Sequence, residues 1–193
     1  MQLAPMQLAR TPDGWLKTVL EDFDSFLKDH ASCEKKASGM AISIASHYPD
    51  QPVLLAAMAD LAVEEMSHYR EVVKLLISRG VTPGPDSKDP YVHALSDLIR
   101  RGSASFLMDR LLIAAVIERR GHERFSILAD GLAGQPEAAF YRAIAASEDR
   151  HWQLFIDLAQ KHCDASAIPD RLEQLIAAEA ALVTSLPFRP ALH

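Results

Sequence analysis

Two cysteines in 193 residues, Cys33 and Cys163, are too few to build a disulfide framework for a chain this long, and they read as free thiols of a reducing compartment. Glycine is scarce at eight, and the eleven prolines gather near segment boundaries, leaving long stretches unbroken. No apolar run reaches the ~18 residues that a membrane span needs. The stretch from Met1 to Arg10 lacks a basic start followed by an apolar segment, so no secretory signal is expected. Strand-like alternation of useful length is also missing. These absences exclude a small disulfide scaffold, a helical membrane protein and a strand-built fold, and they place the chain in the cytoplasm.

What is present is the composition of an ordinary soluble globular protein, 49% apolar and 24% charged, with Ala, Leu and Ile favouring helix. The length suits a single domain, 1–193, with one sizeable core. A net charge of −6 argues against a broad nucleic-acid-binding surface. Buried glutamates neutralised by metal would, however, leave the outer surface less acidic than that sum.

Prolines and caps divide the chain into helices. Thr11-Pro12 opens one toward Ser46 with a break near Asp22, and Pro52 opens a second that runs to Arg79 and stops at Gly80. Residues 81–90, with three prolines and a glycine, form a loop, and Pro90 starts a short helix to about Arg100. Further helices are predicted from Ser103 to Asp130, from Pro136 to near His162, and from Ile168 to about Ser185. Four long helices with short connections predict an all-α, ferritin-like four-helix bundle with additional short helices.

Carboxylates interrupt the apolar stripes of these helices. Glu34 lies seven residues after Leu27 and seven before Ala41, and Glu118 holds the same relation to Leu111 and Phe125. Both therefore point into the core, where an isolated carboxylate is costly. The other two long helices carry Glu65-Met66-Ser67-His68 and Glu148-Asp149-Arg150-His151, each with Glu and His three apart on one face. A single Glu-x-x-His is expected by chance on the order of 0.5 times in such a chain. Two of them, each preceded by a helix with a core-facing Glu, form the ligand order of a di-iron or di-manganese carboxylate bundle. Four carboxylates also balance two divalent cations.

Neighbouring residues compete for the same roles. Glu64 is four before His68, but the repeat with Glu148 and His151 favours Glu65. Glu123 is expected to face outward, His122 and His30 to pack beside the ligands, and Cys33 to be a small core residue. Lys35 and Lys36 follow Glu34 directly, and Arg119, Arg120 and Arg124 follow Glu118. They read either as solvated helix-surface charge or as a basic rim that docks phosphates. The ligand set alone allows C–H hydroxylation, ferroxidation with iron storage, or peroxide disproportionation.

The segments Asp29–Ala37, Asp60–His68, Asp109–Leu112 running on to Arg119, Glu123–Phe125, and Ser147–His151 resemble those of the MiaE-type tRNA hydroxylases, and the similarity extends from about Thr11 to Leu186. The resemblance implies hydroxylation of the isopentenyl group of 2-methylthio-N6-isopentenyladenosine in tRNA, next to the anticodon, with O2 as co-substrate. It implies two iron ions (Fe2+/Fe3+) on Glu34, Glu65, His68, Glu118, Glu148 and His151. It also implies tRNA as a partner and an external electron-transfer protein or reductase, since the chain has no flavin or nicotinamide motif. Two other readings stay open at this point: a ferritin-like iron-binding or ferroxidase protein without a nucleic-acid substrate, and a related oxygenase with another hydrophobic substrate.

Overall fold

The computed structural model describes residues 6–193; residues 1–5, part of the stretch read above for a secretory signal, lie outside the described residues. Among the described residues the chain is all-helical, without strands: α1 (Gly14–Glu21), α2 (Phe23–His47), α3 (Pro52–Ser78), α4 (Pro90–Ser96), α5 (Ser103–Gly131), α6 (Glu137–His162) and α7 (Ile168–Ser185). No helix among them is long and apolar enough to cross a membrane.

The boundaries follow local chemistry. The side chain of Asp22 accepts the Ser25 backbone N–H at 3.1 Å, capping α2 and producing the break after α1. After α3, Gly80 takes φ +69°, and the amides of Gly80 and Val81 return to the Ile77 and Leu76 carbonyls at 3.0 and 2.9 Å. This is a Schellman close that a side chain with a Cβ would strain. The short α4 stops at Ser96 rather than near Arg100. Arg100 turns its backbone N–H to the Asp109 carboxylate at 2.8 Å, so it leaves the helical ladder.

The chain divides into two compact units. One comprises Lys17–Lys88 and Arg189–Leu192. Its frame is the α2–α3 hairpin, in which the Ser38 hydroxyl donates to the Ala62 carbonyl at 2.8 Å. Phe26, Leu27, Ile44, Leu54, Met58 and Leu76 are fully buried along these helices. Each such side chain contributes roughly 1.5–3 kcal/mol of hydrophobic stabilisation.

The other unit holds the chain up to Leu16, Asp89–Phe188 and His193. Its frame is the α5–α6 hairpin, with α4 and α7 added. Here the fully buried side chains include Trp15, Phe125, Tyr141 and Phe155. The carboxylate of Asp109, itself buried, accepts from Arg100 (2.7 and 2.9 Å) and from Arg171 on α7 (2.9 and 3.0 Å). That double clamp fixes α7 and the segment before α5 to the α5 backbone.

Candidate metal centre

In the α2–α3 hairpin, Glu34, Glu65 and His68 each offer a donor atom within 4.8 Å of the others. Glu65 is 1% exposed, while Glu64 is only half-buried, so the repeat-based choice of Glu65 agrees with its position. His68 Nδ1 lies 3.6 Å from Glu34 Oε2 and 3.6 Å from Glu65 Oε2. One turn earlier on α2, the fully buried His30 donates through Nε2 to Glu34 Oε1 at 2.6 Å, since an ionised carboxylate can only accept. Burial alone would raise the Glu34 carboxyl. The His30 hydrogen bond and charge, with the nearby His68 and Glu65 side chains, hold it well below the usual carboxylate range. Burial likewise opposes a charged His68, yet Glu34 and Glu65 push its imidazole up to about 9. The anionic pocket thus draws a proton where a metal ion would serve the same electrostatic purpose, and metal binding would release it.

The α5–α6 hairpin repeats the motif with Glu118, Glu148 and His151, all buried and again mutually within 4.8 Å. His151 Nδ1 is 3.8 Å from both Glu118 Oε2 and Glu148 Oε1, and its Nε2 lies 3.4 Å from the Ser147 hydroxyl. Gly121 on α5 faces Glu148: a Cβ there would sit 3.3 Å from Glu148 Oε2. Glycine therefore clears the space into which this carboxylate projects. The position of α5 equivalent to His30, four before Glu118, is Ala114. The two hairpins share the Glu, Glu and His triad but not this histidine.

Both triads fit a metal ion. Donors held at about 2.0–2.2 Å from one ion lie roughly 3–4 Å apart, whereas a hydrogen bond would draw N and O to about 2.9 Å. The separations of 3.6 and 3.8 Å fall in the first class. Imidazole and carboxylate donors without thiolate suit iron or manganese.

Several flanking residues differ from expectation. Arg120 and Arg124 are buried, at 0% and 5% exposure, and cannot reach tRNA phosphates as a surface rim. Arg120 donates to Glu179 on α7 (2.7 Å), to the Thr11 hydroxyl (3.0 Å), to the Ala9 carbonyl (2.7 Å) and to Glu123. Glu123 is correspondingly turned inward, accepting from the Thr11 amide and hydroxyl at 2.9 and 2.8 Å. Arg124 lies 5.1 Å from the Trp15 ring, and burial with the neighbouring Arg120 charge pulls its guanidinium down to about 10. The Tyr91 hydroxyl completes the network by donating to Glu179 at 3.0 Å. The sequence did carry a signal for this. Residues 111–117 (LLIAAVI) are apolar around the whole helix, as expected of a helix buried on every side.

Of the other basic candidates, Arg119 is half-buried with its Nε donating to the Met6 carbonyl at 3.2 Å. Lys35 and Lys36 are exposed. His122 donates through Nδ1 to the Ala145 carbonyl at 2.8 Å, tying α5 to α6, and Cys33 is half-exposed rather than core.

Comparison with known proteins bears directly on this site. The model of the tRNA-(MS[2]IO[6]A)-hydroxylase (MiaE) family matches residues 3–193. This chain belongs to the MiaE family. A relative from Pseudomonas putida, named tRNA 2-(methylsulfanyl)-N(6)-isopentenyladenosine(37) hydroxylase, is 36% identical over 175 residues, 91% of this chain and 85% of its own length. A Salmonella typhimurium protein of the same name is 30% identical over 132 residues, 68% of this chain and 48% of its own. Among solved structures, a Synechococcus protein with aldehyde deformylating oxygenase activity matches with a TM-score of 0.89 and 33% identity, covering 96% of this chain and 94% of that one. The MiaE chain described here is thus all-α and ferritin-like in class, as its helix pattern predicts.

Proposed function

We propose that this MiaE-family protein is a tRNA hydroxylase that inserts oxygen into the isopentenyl group of 2-methylthio-N6-isopentenyladenosine next to the anticodon. The observation that carries the reading is the twice-repeated triad, with an imidazole Nδ1 aimed at two buried carboxylates in each long hairpin. The names of the two relatives support the tRNA substrate. The oxygenase activity of the Synechococcus neighbour supports O2 as co-substrate.

Under this reading the chain works as one domain, and Glu34, Glu65, His68, Glu118, Glu148 and His151 together hold two iron ions. When bound, the pair would supply the two-electron activation of O2 needed to hydroxylate an allylic C–H bond of the isopentenyl group. The protein's own groups set the conditions for that. Four carboxylates offset two divalent cations, and the four carboxylates and His151 are buried while His68 keeps 14% of its side chain exposed. His30 fixes Glu34 as an anion in one orientation, and Ser147 holds the far nitrogen of His151, leaving Nδ1 for the metal. Lys35, Lys36 and Arg119 are the cations that remain for the tRNA backbone. Electrons come from an external electron-transfer protein or reductase, and a tRNA substrate places the reaction in the cytoplasm.

Nucleoside analysis of tRNA from cells lacking the gene tests the proposal. Loss of the hydroxylated isopentenyl nucleoside, restored by the wild-type gene and not by Glu118→Ala, is the expected result. Unchanged tRNA together with iron oxidation by the purified protein would instead support the ferroxidase reading.

A further inference from the structure

The segment 81–88 is tied to α2 by three contacts, all made by residues that flank Glu34. Lys35 Nζ meets Asp86 Oδ1 at 2.9 Å, the Ser32 hydroxyl donates to the same oxygen at 3.0 Å, and Lys36 Nζ donates to the Ser87 carbonyl at 2.6 Å. Three donors from one helix thus converge on an anion and an adjacent carbonyl oxygen. A phosphodiester offers the same acceptors, a single negative charge shared over two oxygens.

We propose that Ser32, Lys35 and Lys36 form a tRNA phosphate site that the 81–88 segment occupies as a strap until tRNA displaces it. The inference rests on the tRNA-hydroxylase reading above and gives its lysines a defined role. Three physical points support it. First, Lys35 and Asp86 are each 43% exposed at the side chain, and a solvent-screened ion pair of that kind is weak enough for a ligand to break. Second, the strap holds its place because it is part of the same chain. The α3 terminus fixes one end through Val81, and Pro83 and Pro85 limit how far the segment wanders. Third, a tRNA backbone brings many phosphates and releases bound counterions, an advantage that one loop carboxylate lacks. Lys28, exposed on α2 seven residues before Lys35 and therefore on the same face, extends the basic track beyond the strap. Since Lys35 and Lys36 directly follow Glu34, the exchange takes place on the turn of α2 that carries a proposed ligand.

Binding of tRNA to the wild type and to Asp86→Ala, at low and moderate salt, tests the strap. Hydrogen exchange across 84–88 with and without tRNA gives a second readout. Removing the competitor should tighten tRNA binding by about two- to fivefold. That gain should vanish in the Lys35→Ala/Lys36→Ala background and should not be reproduced by Asp60→Ala, which changes net charge equally at an exposed position of α3. In the wild type, tRNA should speed exchange across 84–88. Equal or weaker binding by Asp86→Ala, or exchange there that tRNA leaves unchanged or slows, overturns the strap and leaves the hydroxylase reading standing. A wild-type protein that binds no tRNA overturns both.

Discussion

His30 and Glu34 are joined one turn apart on α2 by a 2.6 Å hydrogen bond, with both side chains buried. The equivalent position of α5 is Ala114, whose side chain makes no such bond. His30→Ala leaves the buried Glu34 oxygen without that donor, at a cost of about 1–3 kcal/mol. Iron bound by the purified variant should fall from about two per chain toward one, with helical content unchanged, and His30→Gln should recover part of it. Full iron occupancy in His30→Ala would show that the bond is only structural.

Glu118→Ala or His151→Ala should remove most of the bound iron, because each deletes one donor of a three-residue set. Metal analysis of the purified variants reads this directly, and zinc in place of iron in the wild type would count against the proposed chemistry.

Gly121→Ala separates metal binding from stability. Alanine favours an α-helix interior over glycine by about 1 kcal/mol. The added methyl would nevertheless meet Glu148 Oε2 at 3.3 Å and push the carboxylate aside. The variant should melt at or above the wild-type temperature as apoprotein while binding less iron. Unaltered iron affinity would remove Gly121 from the site.

The buried Arg120–Glu179 pair predicts a fold defect where a surface charge would give none. Glu179→Ala removes one of the two carboxylate partners of a guanidinium that is 0% exposed and leaves it with Glu123, a loss of about 1–3 kcal/mol. Charge reversal at Arg120 and Arg124 should unfold the protein, whereas reversal at Lys35 and Lys36 should leave melting and iron content unchanged. The lysine reversal should weaken tRNA binding and flatten its salt dependence by about two units of slope. Thermal melts and binding isotherms at several salt concentrations distinguish the two pairs.

Asp89 supplies an acid-sensitive contribution to stability. Burial would raise its carboxyl, but the hydrogen bond and charge of His193, with the Val92 and Tyr91 amides, hold it at about 2, below the ordinary 3.8. A depressed folded value stabilises the native state above pH ~4, and the effect is lost as pH falls toward 2. It amounts to about 2 kcal/mol at neutral pH. Asp89→Asn keeps a helix-capping side chain and removes the charge. The variant should melt lower than the wild type at pH 7, and the gap should close by pH 2. A gap independent of pH would assign the loss to geometry alone.

The sequence by itself determined the helices, their order and the six Glu and His side chains proposed as ligands. Helix periodicity, caps and prolines are local properties, and a carboxylate seven residues from an apolar neighbour on either side must share their buried face. The break at Asp22 was legible for the same reason, and the inward turn of Glu65 rather than Glu64 followed from the repeat with Glu148 and His151. Only the tertiary structure decided what surrounds those ligands. The all-round apolar run 111–117 signals that α5 is buried, but which groups meet Arg120 depends on Glu179, Thr11 and Ala9, which are remote in sequence. The room that Gly121 gives Glu148, and the hold of Lys35 and Lys36 on the 81–88 segment, are likewise contacts between distant residues. Side-chain burial and hydrogen bonding are set by which elements meet, and that is a property of the packed chain.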